Sequence, residues 1–232
     1  LNNYLQQYFD KILVVSVPRF TDRHQSLKQN LDGLEYEFFY GTDKEQLDIE
    51  TAKSDGTYDE QRAKKLQRQG KALNLGELAC SLSHRQVYAA MIKYNWQKVL
   101  VLEDDVLPLT KDLNQLAEAI EELPHNWELL YLGYLKHEKI TNGLKAKQFF
   151  YKILSAAGFM TWSYKMVSNL LPKPYSVHLK NAGFHDCTHA YAITLAGAQK
   201  LLAAQTPVVY RADDLLSATI MKGELNAFVT EP

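Results

Sequence analysis

The chain predicts an α/β fold built on a mostly parallel sheet. Three observations carry that prediction. Short apolar runs rich in Val, Leu and Ile recur at residues 11–17, 98–102, 129–132 and 190–194, each of ordinary strand length. Stretches with helical spacing lie between them. The two kinds alternate from the start, as strands and helices do in a parallel sheet layered by its crossovers. With 232 residues and 46% hydrophobic content, the chain has the mass for one domain. The expected division is a single domain over 1–232 with an irregular, acceptor-side lobe at about 134–188.

The elements follow in order. Residues 11–17 form a buried first strand that Pro18 ends. A helix follows over 21–31, with Thr21 as its cap and Leu27 and Leu31 on one face at i, i+4. Residues 36–40 form a second strand, closed by Gly41-Thr-Asp43. Residues 44–73 are polar and irregular, partly helical at most. Residues 74–94 give the best helix, with Asn74 and Glu77 as a capping box and Leu75, Leu78, Ala79 and Leu82 as its apolar stripe. The strand 98–102 follows, then a helix over 110–123 stopped by Pro124, then the strand 129–132 stopped by Gly133. After the lobe come a strand at 190–194, a helix at 196–204, a helix from Asp213 or Asp214 to Met221, and a late strand at 227–230.

Composition excludes some partners. The formal charge is -1, from 26 basic and 27 acidic residues, so no global basic field points to nucleic acid. The basic stretch 61–71 reads as a solvated helix or loop. Cys80 and Cys187 lack metal-ligand spacing and fit a reducing compartment, a single disulfide being the alternative. No apolar run approaches the length of a membrane span, and residues 1–10 are polar and aromatic, unlike a signal peptide.

The chemistry centres on Lys98-Val-Leu-Val-Leu-Glu-Asp-Asp-Val106, where a buried strand ends in three carboxylates. Such a cluster is costly unless something pairs with it, and a divalent cation holding a diphosphate would do so. A solvated strand end is the alternative. If the strand persists, Glu103 and Asp105 share one face and Asp104 points the other way. Ligands of α/β sheets bind beyond the strands' carboxyl ends. Arg19 and Arg23 after the first strand, and Thr42 and Asp43 after the second, therefore join the trio, the arginines as bidentate phosphate ligands or as plain ion pairs. On the 74–94 helix, Glu77, Ser81, His84 and Tyr88 share a face with Cys80 beside them, and their types suggest partial burial. Late in the chain, Asp213 and Asp214 either cap a helix or supply a general base. His189 could complete a metal shell or serve structure. Trp96, Trp127 and Trp162 read as core or rim packing residues, with stacking on sugar rings as the alternative.

Taken together, these segments resemble glycosyltransferase family 25, the lipooligosaccharide-type transferases that also include collagen hydroxylysine galactosyltransferases. The matching pieces are Val15-Ser-Val-Pro-Arg19 with Arg23, Gly41-Thr-Asp43, Leu75-Gly-Glu-Leu-Ala-Cys-Ser-Leu-Ser-His84, Val101-Leu-Glu-Asp-Asp-Val106, Leu130-Tyr-Leu-Gly133, Ala190-Tyr-Ala-Ile-Thr194, and Asp213 with Leu216. The Gly-Glu-x-x-Cys-x-x-Ser-His block followed by Glu-Asp-Asp is the specific part. Val17, where the family more often has Leu after an Asn, departs from the pattern, and the 134–188 lobe has no match.

The resemblance implies a GT-A type, Rossmann-like nucleotide-sugar domain and transfer with inversion of a hexose, galactose first, from a UDP-sugar to a glycan hydroxyl in lipopolysaccharide or lipooligosaccharide biosynthesis. It implies Mn²⁺ or Mg²⁺ on Asp105, and Glu103 or Asp104 toward the donor. Arg19, Arg23, Thr42 and Asp43 would line the nucleotide pocket, with Glu77 and His84 nearby. Asp213 would be the base or an acceptor contact, with Asp214 in reserve. The expected setting is cytoplasmic, with peripheral contact at the inner face of the inner membrane as an option. Two rivals stand beside this reading. One is a non-catalytic glycan- or nucleotide-binding module on the same fold. The other is a nucleotidyltransferase, disfavoured because no glycine-rich triphosphate loop is present.

Overall fold

The computed structural model describes residues 2–67, 70–108, 113–133 and 140–230. Strands β1 (Lys11–Ser16), β2 (Glu37–Tyr40), β3 (Lys98–Glu103), β4 (Leu129–Tyr131), β5 (Lys173–Pro174), β6 (Leu179–Asn181), β7 (Ala190–Thr194) and β8 (Ala227–Thr230) form one sheet in the order β2-β1-β3-β7-β4-β8-β6-β5. Helices α1 (Asn2–Tyr8), α2 (Thr21–Asn30), α3 (Ile49–Ser54), α4 (Glu60–Leu66), α5 (Leu75–Tyr94), α6 (Leu113–Glu121), α7 (Asn142–Ala156), α8 (Tyr164–Ser168), α9 (Leu195–Ala204) and α10 (Ala212–Lys222) complete it.

Period-two alternation within each apolar run divides the core in two. Leu13, Val99, Val101, Leu129, Tyr191 and Ile193 pack with Val87 and Met91 of α5, Leu201 of α9 and Leu216 of α10. Ile12, Val14, Leu100, Leu102, Leu130 and Ala192 pack with Leu5 of α1, Leu27 of α2 and Ile120 of α6. Both faces of the central strands are covered, which is why the sequence shows apolar runs there with few polar interruptions.

The sheet is mixed, which corrects the expected mostly parallel one. The pairings β1–β2, β1–β3 and β4–β8 are parallel. The pairings β3–β7, β4–β7, β5–β6 and β6–β8 are antiparallel. The physical reason is that an apolar run buried on both faces fits either direction, and β7 enters from the end opposite to its two neighbours.

The lobe is more ordered than expected. Within 134–188, α7, α8, β5 and β6 are regular elements, and β5 and β6 extend the sheet edge; residues 134–139 lie outside those described. Residues 44–73 contain α3 and α4, capped by the Asp48 and Asp59 side chains. Thr21 opens α2 without capping it; the cap position is Phe20 and makes no side-chain bond. The Asn74–Glu77 capping box on α5 forms as expected. The start of the helix expected over 110–123 falls outside the described residues, and α6 is described from Leu113. Trp127 is buried, while Trp96 and Trp162 pack against core clusters.

Candidate active site

The parallel pairing of β1 and β3 sets Val15 opposite Glu103 and so brings Ser16 beside Asp104. The Ser16 hydroxyl donates to Asp104 Oδ2 at 2.5 Å, and the Arg23 guanidinium donates to Asp104 Oδ1 at 2.7 Å. The same Arg23 nitrogen reaches Asp105 Oδ2 at 3.2 Å. Asp104 is buried and Asp105 exposed, so the first carboxylate is enclosed by its partners while the second faces the opening. His24 Nε2 lies 2.8 Å from Ser16 Oγ and closes this corner. The Asp104 hydrogen bond raises the affinity of the Arg23 guanidinium for its proton.

The strand ends at Glu103, so the expected alternation over the trio is replaced by a turn. Glu103 points to α5 and the start of β7, while Asp104 and Asp105 share Arg23. Glu103 Oε1 accepts from the Thr188 hydroxyl at 2.5 Å and lies 3.8 Å from His84 Nε2. His84 is buried, and its Nδ1 is 2.8 Å from the Tyr191 hydroxyl. Burial alone would push this imidazole down, but hydrogen bonds to Cys80 and Glu103 outweigh it and lift it to about 10. Burial likewise works against the Glu103 carboxylate, yet His84 and Thr188 hold it below the usual range. His189, on the other side of Glu103, moves the opposite way, with burial keeping it neutral against the nearby carboxylates.

A second arginine–carboxylate pair lies on the β2 side. Arg19 Nε donates to Asp43 Oδ2 at 2.7 Å, which holds Asp43 below the ordinary carboxylate range. The Arg19 and Arg23 guanidinium carbons sit 4.6 and 4.9 Å from the Phe20 ring. The Thr42 amide donates to Ser83 Oγ at 2.9 Å. Close approach of α5 to this turn requires Gly41, because a Cβ there would lie 2.3 Å from Ser83 Oγ and 2.5 Å from Ser83 Cβ.

The two arginine–carboxylate pairs, Ser16, Ser83, His84 and Glu103 line one cleft of about 330 Å³. Of the residues singled out in the sequence, the cleft brings together Arg19, Arg23, Thr42, Asp43, His84, Glu103, Asp104 and Asp105. Glu77 and Asp213 are not among its lining residues. Glu77 closes the α5 capping box and lies 3.7 Å from Arg211 Nη1. Asp213 stands in the first turn of α10 and accepts from the Asp214 amide at 2.8 Å and the Cys187 amide at 3.4 Å. Asp214 is gripped by Arg211 through Nε and Nη2, each at 2.7 Å. Neither acid occupies the cap position, which is Arg211.

Sequence reasoning missed Ser16, His24 and Thr188 as members of the site. Ser16 falls inside a quoted motif. Thr188 could be found only by knowing that β7 runs antiparallel to β3, which puts the residues before β7 beside the end of β3.

Two donor sets could be weighed for a metal. Asp104 and Asp105 offer only oxygen and suit a hard cation such as Mg²⁺ or Mn²⁺. Cys80, His84 and Glu103 bring donor atoms within 4.8 Å of one another and would suit a softer ion. Hydrogen bonds from His84 to Cys80 and Glu103 join the same three residues into one network. Neither Cys80 nor Cys187 is in a disulfide, so the disulfide alternative does not hold.

Residues 9–216 match the family model described as Glycosyltransferase family 25 (LPS biosynthesis protein). The chain is 28% identical to Procollagen galactosyltransferase 2 of Mus musculus over 207 residues, 84% of this chain and 28% of that protein. It is 27% identical to a Glycosyltransferase 25 family member of Anopheles gambiae over 207 residues, 84% of this chain and 28% of that one. It is also 27% identical to a Probable inactive glycosyltransferase 25 family member 3 of Bos taurus over 211 residues, 85% of this chain and 29% of that protein. The chain spans less than a third of the length of these relatives.

Proposed function

The chain belongs to glycosyltransferase family 25, and from that premise we propose that it is a metal-dependent, inverting hexosyltransferase with a GT-A type nucleotide-sugar site. The donor proposed is a UDP-sugar, UDP-galactose first, and the acceptor is a glycan hydroxyl of lipopolysaccharide or lipooligosaccharide. The observation that carries this reading is the pairing of Arg23 with Asp104 and Asp105 at the mouth of the cleft, with Arg19 and Asp43 beside it. Two guanidinium groups and an exposed carboxylate, Asp105, at the ends of parallel strands form a corner suited to a diphosphate and its cation.

In this mechanism Asp105, with Asp104 behind it, would hold Mn²⁺ or Mg²⁺, which when bound supplies positive charge against the leaving diphosphate. Arg19 and Arg23 turn from their carboxylates to phosphate oxygens. Thr42 and Asp43 edge the nucleotide pocket, and His84 fixes Glu103 toward the donor. Asp213 takes the proton from the acceptor hydroxyl. It is favoured over Asp214 because Arg211 already grips Asp214, while Asp213 forms no ion pair among the described residues. Two cysteines outside any disulfide accord with a cytoplasmic setting.

The test is release of UDP from a panel of UDP-sugars with Mn²⁺ and a panel of glycan acceptors, alongside thermal melting with each donor. A true donor at a hundred times its Kd stabilises the fold by about 2.7 kcal/mol. A second reading, a non-catalytic binding module, is favoured by the relatives whose names call them inactive. Donor-dependent stabilisation with no UDP release under any acceptor would select it. Neither stabilisation nor release would sink both.

A further inference from the structure

Helix α7 carries an exposed apolar face that the transfer reaction does not use. Ala146, Phe149, Phe150 and Ile153 fall at i, i+3, i+4 and i+7. Phe149 is 66% exposed, Phe150 56% and Ile153 52%, and Phe159 just beyond the helix is 79% exposed. The opposite face is the one that holds α7 to the protein. Leu144 and Tyr151 pack against Leu170, Leu171, Phe184 and Met221. Gln148 Nε2 donates to the Val167 carbonyl at 2.8 Å, and Ser155 donates to the Trp162 carbonyl at 2.7 Å. The helix is thus seated by one apolar face and presents a second to its surroundings.

Charge around this face is one-sided. Residues 140–185 contain six lysines and no Asp or Glu, in a chain whose formal charge is -1. On the helical wheel, Lys145 and Lys152 border one side of the Phe149–Ile153 plateau and Lys147 the other. Among the described residues these three form no ion pair. Elsewhere Lys11, Lys53, Lys64 and Lys200 each meet a carboxylate. Lys147 and Lys152 instead rest their ammonium groups over Tyr151 and Tyr164, at 5.5 and 5.8 Å from the ring centroids.

We propose that the outer face of α7, with Phe159, is a peripheral docking surface for an anionic lipid bilayer. The apolar plateau seats Phe149, Phe150 and Ile153 at the level where headgroups meet acyl chains, and the bordering lysines meet lipid phosphates. Lysines on both sides of the plateau, with no acid in α7, are what an anionic surface selects, and they are unsuited to a second copy of the same face, which would set lysine against lysine. The helix is 15 residues long, or about 22 Å, and lies along such a surface; no helix among the described residues is long and apolar enough to cross a membrane. The surface acts without donor or acceptor, so its failure and the failure of the transfer reading are separate results.

The experiment is co-sedimentation of the full chain with phosphatidylcholine vesicles, with and without phosphatidylglycerol. Binding is expected only with phosphatidylglycerol, and weakens as salt is raised. The triple change Lys145→Gln, Lys147→Gln, Lys152→Gln lowers partitioning on the order of a hundredfold. The pair Phe149→Ser, Phe150→Ser lowers it at least about tenfold. Both variants should melt like the parent, because none of these side chains is buried. Absence of wild-type binding at low salt overturns the proposal. So does undiminished binding by the Phe pair, which would make the face a plain polyanion site. Dimerisation in light scattering that the Phe pair abolishes would also overturn it, assigning the face to a second copy.

Discussion

Arg23 and Lys145 are both surface cations, and the protein holds them in opposite ways. Arg23 meets two carboxylates at 2.7 and 3.2 Å, one of them buried, so the charge of the cleft is balanced from within. Lys145 lies in a run without acids and forms no ion pair among the described residues. The same contrast holds for packing. At the cleft, α5 approaches the β2 turn so closely that only glycine fits at 41. On α7 the large side chains of the outer face, Phe149, Phe150 and Ile153, are each more than half exposed. Paired charge and close packing mark a site that orders itself before any ligand arrives. Unpaired charge and exposed aromatics mark a surface whose counterpart lies outside the chain.

Substitutions in the cleft and on α7 should separate the two regions. The largest effect is expected from Asp105→Ala, which should cut turnover on the order of a thousandfold while leaving the melting temperature nearly unchanged, since this side chain is exposed. Near-normal UDP release would remove Asp105 from the metal role. Next, Gly41→Ala should destabilise the fold by about 3 kcal/mol in denaturant titration, because its Cβ meets the Ser83 side chain and, at 3.2 Å, the Ser83 backbone. Ser83→Ala should not rescue it, as the clashing Cβ remains. Arg23→Ala comes third. It leaves Asp104 buried with only Ser16 as partner, and should cost about 2 kcal/mol, discounted for the half-exposed guanidinium.

A fourth test reads pH. Because the His84 imidazole is raised to about 10, its contribution to stability is fully present below the free imidazole value of about 6.5 and is lost as pH climbs through about 10. Glu103 is lowered, so its contribution is present above the free carboxyl value of about 4.3 and lost as pH falls through its folded value. Nuclear magnetic resonance of the His84 ring should therefore show no titration across about pH 6 to 8. A midpoint near 6.5 would dissolve the ion-pair network. The smallest effect belongs to α7. Lys145→Ala should shift stability by no more than about 0.5 kcal/mol, and a larger loss would mean that this face does have a partner within the fold.

The contrast also explains what could be read in advance. The strands β1, β3, β4 and β7 were legible because apolar runs buried on both faces stand out in any register, and α5 because its cap and stripe agree. The direction of β7 was not legible, since Ala190-Tyr-Ala-Ile-Thr194 fits either polarity. With the direction went Thr188, whose contact with Glu103 depends on it. Helix α7 was hidden by its own outer face. Leu144 and Tyr151 on one side and Phe149, Phe150 and Ile153 on the other blur the 3.6-residue period that marks a half-buried helix. The cleft acids and arginines were legible as polar residues following strands. The pairing of Arg23 with both Asp104 and Asp105 was not, because it depends on how α2 returns over β1.

The loop from β6 to β7 has a mechanical consequence. Within residues 182–189, the His185 amide and carbonyl are both tied to Ser217 of α10, the Cys187 amide donates to Asp213, and the Thr188 hydroxyl donates to Glu103. One short loop therefore touches the proposed base and the strand-end acid Glu103, like a gauge block clamped between two jaws. With Asp213 as the proposed base, the length of this loop would bear on the gap that an acceptor hydroxyl and a donor sugar share. Lengthening or shortening this loop by one residue is the change that would mistune that gap while leaving every carboxylate in place.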